Sequence, residues 1–354
     1  MMKNSKDVKE IHRLLKNTVI HPETVRKWFE GDKEELSKAM APLMNYFINH
    51  SPTKLFKLKT VTEHALEALE KDELFLTRAD HFNDPYDCFL SFDQEGLKNA
   101  IEYHLSDENM HRYLTDSDIK FPTDVEGVGI DKLFETIHLN RSDFLHKCDS
   151  ILPSVTKELQ TNTYVSSLTE NIYSPVMWAH YADYHKGFAI EYQFRTDMFY
   201  PRLMIVPNDE YNWYGWRSIL PVYYSYERMD GTALADWLAL CKWFNYLLGE
   251  ERLDIDMSAY LPDMLLKTKV CLQKSLEWAY EREWRLMITH NWPNQVGAKS
   301  IHIIYPPSAI YLGDRISEID SAKLKEIAGG KSIPVYQIYI DRSGKEYKME
   351  FRAV

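Results

Sequence analysis

The chain has 354 residues, 45% hydrophobic and 27% charged, with a formal net charge of -11. That is ordinary globular usage, and no apolar run approaches the roughly 18 residues needed to cross a bilayer. The acidic excess disfavours extensive non-specific nucleic-acid binding, because the field of the whole protein repels a polyanion. The first residues, MMKNSKDVKEIHRLLKN, lack the apolar stretch and small-residue cleavage site of a secretory signal, so a cytoplasmic location is expected. Cys88, Cys148, Cys241 and Cys271 are widely spaced without a CxxC pair and read as buried free thiols.

Residues 1–50 read as a helical extension. Pro22 and Glu23 follow His21 as a first turn, and Leu36, Met40, Leu43 and Phe47 recur at helical spacing. The texture changes at Ser51-Pro52, where residues 51–354 begin a core with a strand in LFKLKTV, a helix in HALEALEKDEL and a strand in LFLTRA. Residues 95–160 are polar and helical in pattern and read as an insertion. TYVSSLT and KGFAIEYQF are strands around a short helix in SPVMWAHYADYH, and LPVYYSY is a further strand. A second helical insertion is expected at about 231–278. EREWRLMITH is a strand, SIHIIYPPSAIYLG holds one or two more, and ISEIDSAKLKEIA is a helix with a serine cap. SIPVYQIYI and KEYKMEFRAV form a hairpin around residues 341–344. The fold class is therefore α+β: a mixed, largely antiparallel β core with an N-terminal helical extension and helical insertions.

Four strings stand out in order: ADHFNDPYDC, VMWAHYADYHKGFAIEY, EWAYEREWRLM and PPSAIYLG. Together they resemble a bacterial family catalogued as domain of unknown function 2971, over about residues 54–340. The resemblance implies an association with phage-defence and abortive-infection genes, and says little about chemistry.

Strand alternation in EREWRLM puts Glu281, Glu283 and Arg285 on one face and Trp284, Leu286 and Ile288 on the other. The polar face is a candidate catalytic edge; the plainer alternative is a half-exposed strand with a surface ion pair. On the plan of a catalytic edge, Trp284→Ala should cost about 3 kcal/mol or more, while Glu283→Gln should leave melting nearly unchanged. This strand and the early strand, helix, strand order resemble the layout of ADP-ribosyltransferases. That resemblance implies NAD as substrate, with Glu283 on the ribose hydroxyl and Glu281 orienting the acceptor. It places Lys57 and Ser167 where such a fold contacts the nucleotide. Asn83 and Asp84 form a turn beside a strand end, Pro85 holding Asp84 extended, and Asp87 follows close behind.

In MWAHYADYHKG a helix would align Trp178, Tyr181 and His185 on one face and His180, Asp183 and Tyr184 on another. Core packing is the default for these rings. The functional reading has Tyr181 stacking on a ligand ring and His180 at a phosphate or acid position, with Gly187 allowing a tight approach into the next strand. A rival reading gathers His180, Asp183 and His185 with Asp84 or Asp87 around a divalent metal in a hydrolase or nuclease, although no standard metal spacing is present. A third is a non-enzymatic module that senses a nucleotide or small molecule, or a protein partner.

Overall fold

The computed structural model describes residues 6–116, 161–207, 212–248, 260–290, 299–341 and 348–354, with isolated positions between 135 and 160 and at 345. Three helices open it: α1 (Lys6–Asn17), α2 (Pro22–Phe29) and α3 (Glu34–His50). Pro22 starts α2 at a position where its missing N–H costs nothing. The residues expected to line one face of α3, Leu36, Met40, Leu43 and Phe47, are all buried. They join the same apolar core as the sheet, with Phe47 stacked on Phe199 at 5.8 Å between ring centroids. Polar ties reinforce this junction. The Ile20 N–H donates to Asp263 Oδ1 at 3.0 Å, and Lys269 Nζ donates to the Thr18 carbonyl at 2.7 Å.

The core then runs β1 (Leu55–Lys59), α4 (Glu63–Glu70) and β2 (Glu73–Arg78), in the expected strand, helix, strand order, with the Thr62 hydroxyl capping α4 on the Ala65 N–H. These two strands are not neighbours. β3 (Thr163–Thr169) is antiparallel to both. β4 (Phe188–Tyr192), β5 (Arg202–Pro207), β6 (Asn212–Pro221), β9 (Glu283–His290), β10 (Ser300–Ile304), β11 (Ala309–Leu312), β12 (Val335–Asp341) and β13 (Lys348–Ala353) complete a sheet of 11 strands. Its main path is β13-β12-β11-β4-β1-β3-β9-β6-β5, and β10 extends from β2. Among the described residues its pairs are antiparallel except β11 with β12, so the α+β class with a mixed, largely antiparallel sheet holds. β12 and β13 pair as the expected hairpin strands, while residues 342–344 of its turn lie outside the described residues.

The first insertion contributes α5 (Gln94–His104) and α6 (Asp107–Thr115), and most of 117–160 lies outside the described residues. In the second, α8 (Thr232–Leu248) and the short α9 (Leu266–Val270) are helical. The expectation of a helical run to 278 fails at its end, where β8 (Gln273–Ser275) pairs with β7 (Tyr223–Ser225) and a 3-10 turn covers Leu276–Glu281. The β5–β6 pair gave no clear alternation in the sequence and was missed. α7 (Pro175–Tyr181) stops at Tyr181; Asp183, Tyr184 and His185 follow with φ of 45°, 52° and 71°. The helical face proposed to reach His185 is therefore wrong, although the His185 ring still stacks on Trp178 at 6.4 Å. A Cβ on Gly187 would come within 2.2 Å of the Lys59 carbonyl, which accounts for glycine at this close approach. α10 (Glu318–Lys331) has Ser317 as its cap.

Cys88, Cys241 and Cys271 are buried, Cys88 and Cys271 as free thiols; Cys148 lies outside the described residues. No helix among the described residues is long and apolar enough to cross a membrane. Trp284, on β9, is buried edge-on against Phe199 at 5.7 Å. Its replacement by alanine is expected to lower unfolding free energy by about 3–5 kcal/mol, read by urea denaturation, because a rigid sheet leaves most of the indole's volume empty.

Candidate functional site

β9 lies between β3 and β6 in the interior of the sheet, so its polar face is not an edge. The face is occupied by an ion network. Arg285, 0% exposed, donates through both terminal nitrogens to Asp87 at 2.8 and 2.7 Å and through Nε to Glu283 at 2.9 Å. It also donates to the Cys271 carbonyl at 2.6 Å, with the Phe82 ring 5.8 Å away. Lys274 Nζ bridges Glu281 at 2.8 Å and Glu283 at 3.3 Å, with Asp87 at 3.7 Å and the Trp278 ring 4.6 Å below. The neutral surface ion pair that the plainer reading anticipated is thereby replaced by a desolvated network, where each charge depends on its partners.

The chain positions the two glutamates differently. Glu283 begins β9 and its N–H donates to the Tyr224 hydroxyl at 2.8 Å. Glu281 ends the preceding 3-10 turn, with the left-handed Arg282 (φ 42°) between them and the Thr169 hydroxyl donating to its carbonyl at 2.6 Å. Strand alternation is therefore not what brings Glu281 to this face. The Tyr181 hydroxyl, at the end of α7, donates to Glu281 Oε1.

Three carboxylates, Asp87, Glu281 and Glu283, face two cations, Lys274 and Arg285. The proton inventory follows from that imbalance. Burial pushes the Glu283 carboxyl up, but the charges of Arg285 and Lys274 and a bond from Ser167 outweigh it and hold the group at about 2. Glu281 goes the other way: burial and the neighbouring Glu283 charge raise it above the ordinary 4.5 despite Lys274 and Tyr181. Burial opposes the charge on Lys274, yet the surrounding carboxylates raise its pKa. Two carboxyl groups two residues apart are thus driven to opposite protonation preferences, the pattern from which acid and base roles are assigned.

Above this network lies a small cleft of about 100 Å3, partly open to solvent and below the range of sites that enclose a whole drug-sized ligand. Glu281, Glu283, Lys274, Asp87, Asn83, Ser167 and Tyr181 supply its polar lining, and Phe56, Leu58, Phe82 and Met177 supply apolar walls. Of the residues singled out in the sequence, Glu281, Glu283, Ser167, Tyr181, Asn83 and Asp87 are brought together. The others are not. Arg285 lies beneath the cleft as the counter-ion of Asp87 and Glu283, and its catalytic assignment is corrected to a supporting one. Lys57 points to the opposite side of the sheet from its neighbours Phe56 and Leu58, with Nζ on Ser166 Oγ at 2.8 Å and the Ser167 carbonyl at 3.2 Å; burial lowers its pKa to about 7. His180 stays outside the lining, its ring on the Tyr280 hydroxyl at 3.1 Å. Asp84 is buried in the turn, Oδ1 accepting the Tyr86 N–H at 2.9 Å, and does not line the cleft. Lys274 was missed because it lies in the stretch read as helix, and the three residues of β8 are too few to show a strand period.

The burial of Glu283, 4% exposed, also overturns the expectation that Glu283→Gln leaves melting unchanged. A neutral amide there strips Arg285 and Lys274 of a shared counter-charge.

Fold and network together define an α+β protein with an acidic, charge-supported cleft on one face of a mixed sheet. Residues 177–286 match the family model described as protein of unknown function (DUF2971), a shorter span than the expected 54–340 that leaves ADHFNDPYDC and PPSAIYLG outside, and the match contains Tyr181, Lys274, Glu281, Glu283 and Arg285. No curated protein and no solved structure matches the chain.

Proposed function

We propose that the cleft carries out ribosyl transfer from NAD, in the manner of an ADP-ribosyltransferase. The observation that supports this reading is the convergence of Glu281 and Glu283, with opposed protonation preferences, on one cleft with apolar walls. Glu283, held anionic, is suited to stabilise the oxocarbenium character that develops at the ribose as the C–N bond breaks and its electron pair leaves on neutral nicotinamide. Glu283 already accepts from the Ser167 hydroxyl, and a ribose hydroxyl would donate to it in the same way. Phe56, Leu58, Phe82 and Met177 supply apolar surface for a flat ring. Glu281, with its raised pKa, would accept the proton of the attacking acceptor, and Tyr181 fixes its orientation.

The metal-hydrolase alternative loses its ligand set in this arrangement. Among the described residues no group of three or more His, Cys, Asp or Glu is placed to hold a metal ion, and His180 and His185 are turned to Tyr280 and Trp178.

The test is nicotinamide release and thermal shift with NAD on the wild-type chain and on Glu281→Gln. NAD-dependent stabilisation in both, with release lost in the variant, is the expected result. Stabilisation without release in the wild type would turn the cleft into a nucleotide-sensing site, and no response to NAD would remove this reading.

A further inference from the structure

On the other side of the sheet, at its β5 edge, three guanidinium groups gather around one carboxylate. Arg195, next to the 3-10 turn Thr196–Met198, donates to Asp197 through Nε at 3.0 Å and Nη2 at 2.9 Å, and Arg202 of β5 adds a contact to Oδ2 at 2.8 Å. Asp197 is thereby saturated. The third guanidinium, Arg217 of β6, feels the charges of Asp197, Arg202 and Arg195, yet its enclosed Nε has no hydrogen-bond partner.

The register makes the arrangement stranger. Arg202 and Arg217 are directly opposed across the β5–β6 ladder, where like charges repel. Nothing in the packing of a sheet edge requires that pairing, and among the described residues the cluster carries two positive charges in excess, in a chain whose net charge is -11. An opposed like-charge pair is unfavourable in isolation, and an oxyanion bound to the accessible guanidinium nitrogens offsets it.

We infer that Arg195, Arg202 and Arg217 form a binding site for the phosphate group of a small phosphorylated molecule. A phosphate monoester dianion matches the excess charge. Its tetrahedral oxygens accept from guanidinium groups carried on β5, on β6 and beside the 3-10 turn, where a carboxylate presents only two oxygens in one plane. The acidic remainder of the chain repels an extended polyanion, which favours a small ligand over a nucleic-acid strand. The site is independent of the cleft. Arg217 pairs in register with Ile288 and so shares the face of Leu286 and Trp284, while Glu283, which lines the cleft, and Arg285 beneath it project from the opposite face.

The test is isothermal titration of the full chain with inorganic phosphate and with AMP, at constant ionic strength set by sodium chloride, for the wild type, Arg217→Gln and Arg202→Gln. Saturable binding is expected in the wild type and at least tenfold weaker binding in both variants. Arg202 is exposed and Arg217→Gln removes a like-charge opposition, so both variants should fold, as checked by their melting in chloride. AMP at least tenfold tighter than phosphate assigns the site to an ester, and equal affinities assign it to the free ion; both support the proposal. Absence of saturable binding to either ligand, or undiminished binding in the two arginine variants, overturns it.

Discussion

Replacing Arg285 by methionine is expected to cost about 3–5 kcal/mol of stability, more than any substitution at the cleft surface. The guanidinium is fully buried and holds two carboxylates, Asp87 at 2.7 Å and Glu283 at 2.9 Å. Methionine fills much of the volume but leaves those carboxylates with Lys274 alone, in surroundings where an unpaired charge has no water to turn to. Urea denaturation followed by tryptophan fluorescence reads the loss. A double-mutant cycle assigns its cause: Asp87→Asn should cost markedly less in the Arg285→Met background than in the wild type, because the amide then removes a charge that has already lost its partner. Additive losses would mean that Arg285 acts through packing and not through the ion pair.

The same network gives stability a pH dependence of known sign. The folded Glu283 pKa of about 2 lies below the ordinary 4.5, so the folded state holds this proton less tightly than the unfolded chain. Its contribution is fully present above pH 4.5 and is lost as the pH falls from there towards 2.

Turnover is expected to fall about 100- to 1,000-fold in Glu281→Gln, the range for removing a positioned acid–base group from a polar transition state. The amide is nearly isosteric, its oxygen still accepts from Tyr181, and Lys274 keeps Glu283 and Asp87, so folding should change far less than rate. The pH profile separates a proton-transfer role from a structural one. Because burial and the Glu283 charge raise the Glu281 pKa, kcat/KM for the wild type should rise with pH through a range above 4.5 and then level off as the carboxylate becomes available. In Glu281→Gln the residual rate should lose that limb. A variant that keeps the limb at a reduced level would assign the base to another group.

Much of the β order was legible because it is written locally. Short runs of apolar, aromatic and β-branched residues mark β1, β2, β3 and β4, Ser317 marks a helix start, and the strings around Asn83, Tyr181 and Glu283 mark the positions that come together at the cleft. The β5–β6 pair and β8 were not legible. β8 has three residues, too few for a period to show, and takes its strand form from pairing with β7. With β8 went Lys274, the cation on which Glu281 and Glu283 both depend.

The amino-acid sequence by itself determined the α+β class, the family segment and the glutamate pair, since these reside in short-range periodicity and in neighbouring residues. The tertiary structure alone decided which charges meet. It moved Lys57 to the far face of the sheet, placed Arg285 under the cleft as a buried counter-ion, and joined Asp87 to a strand 198 positions away. Those outcomes depend on strand order and on the desolvation of charges between distant elements. Neither is encoded in the spacing of any one segment, because pairing partners and dielectric surroundings exist only once the chain has folded.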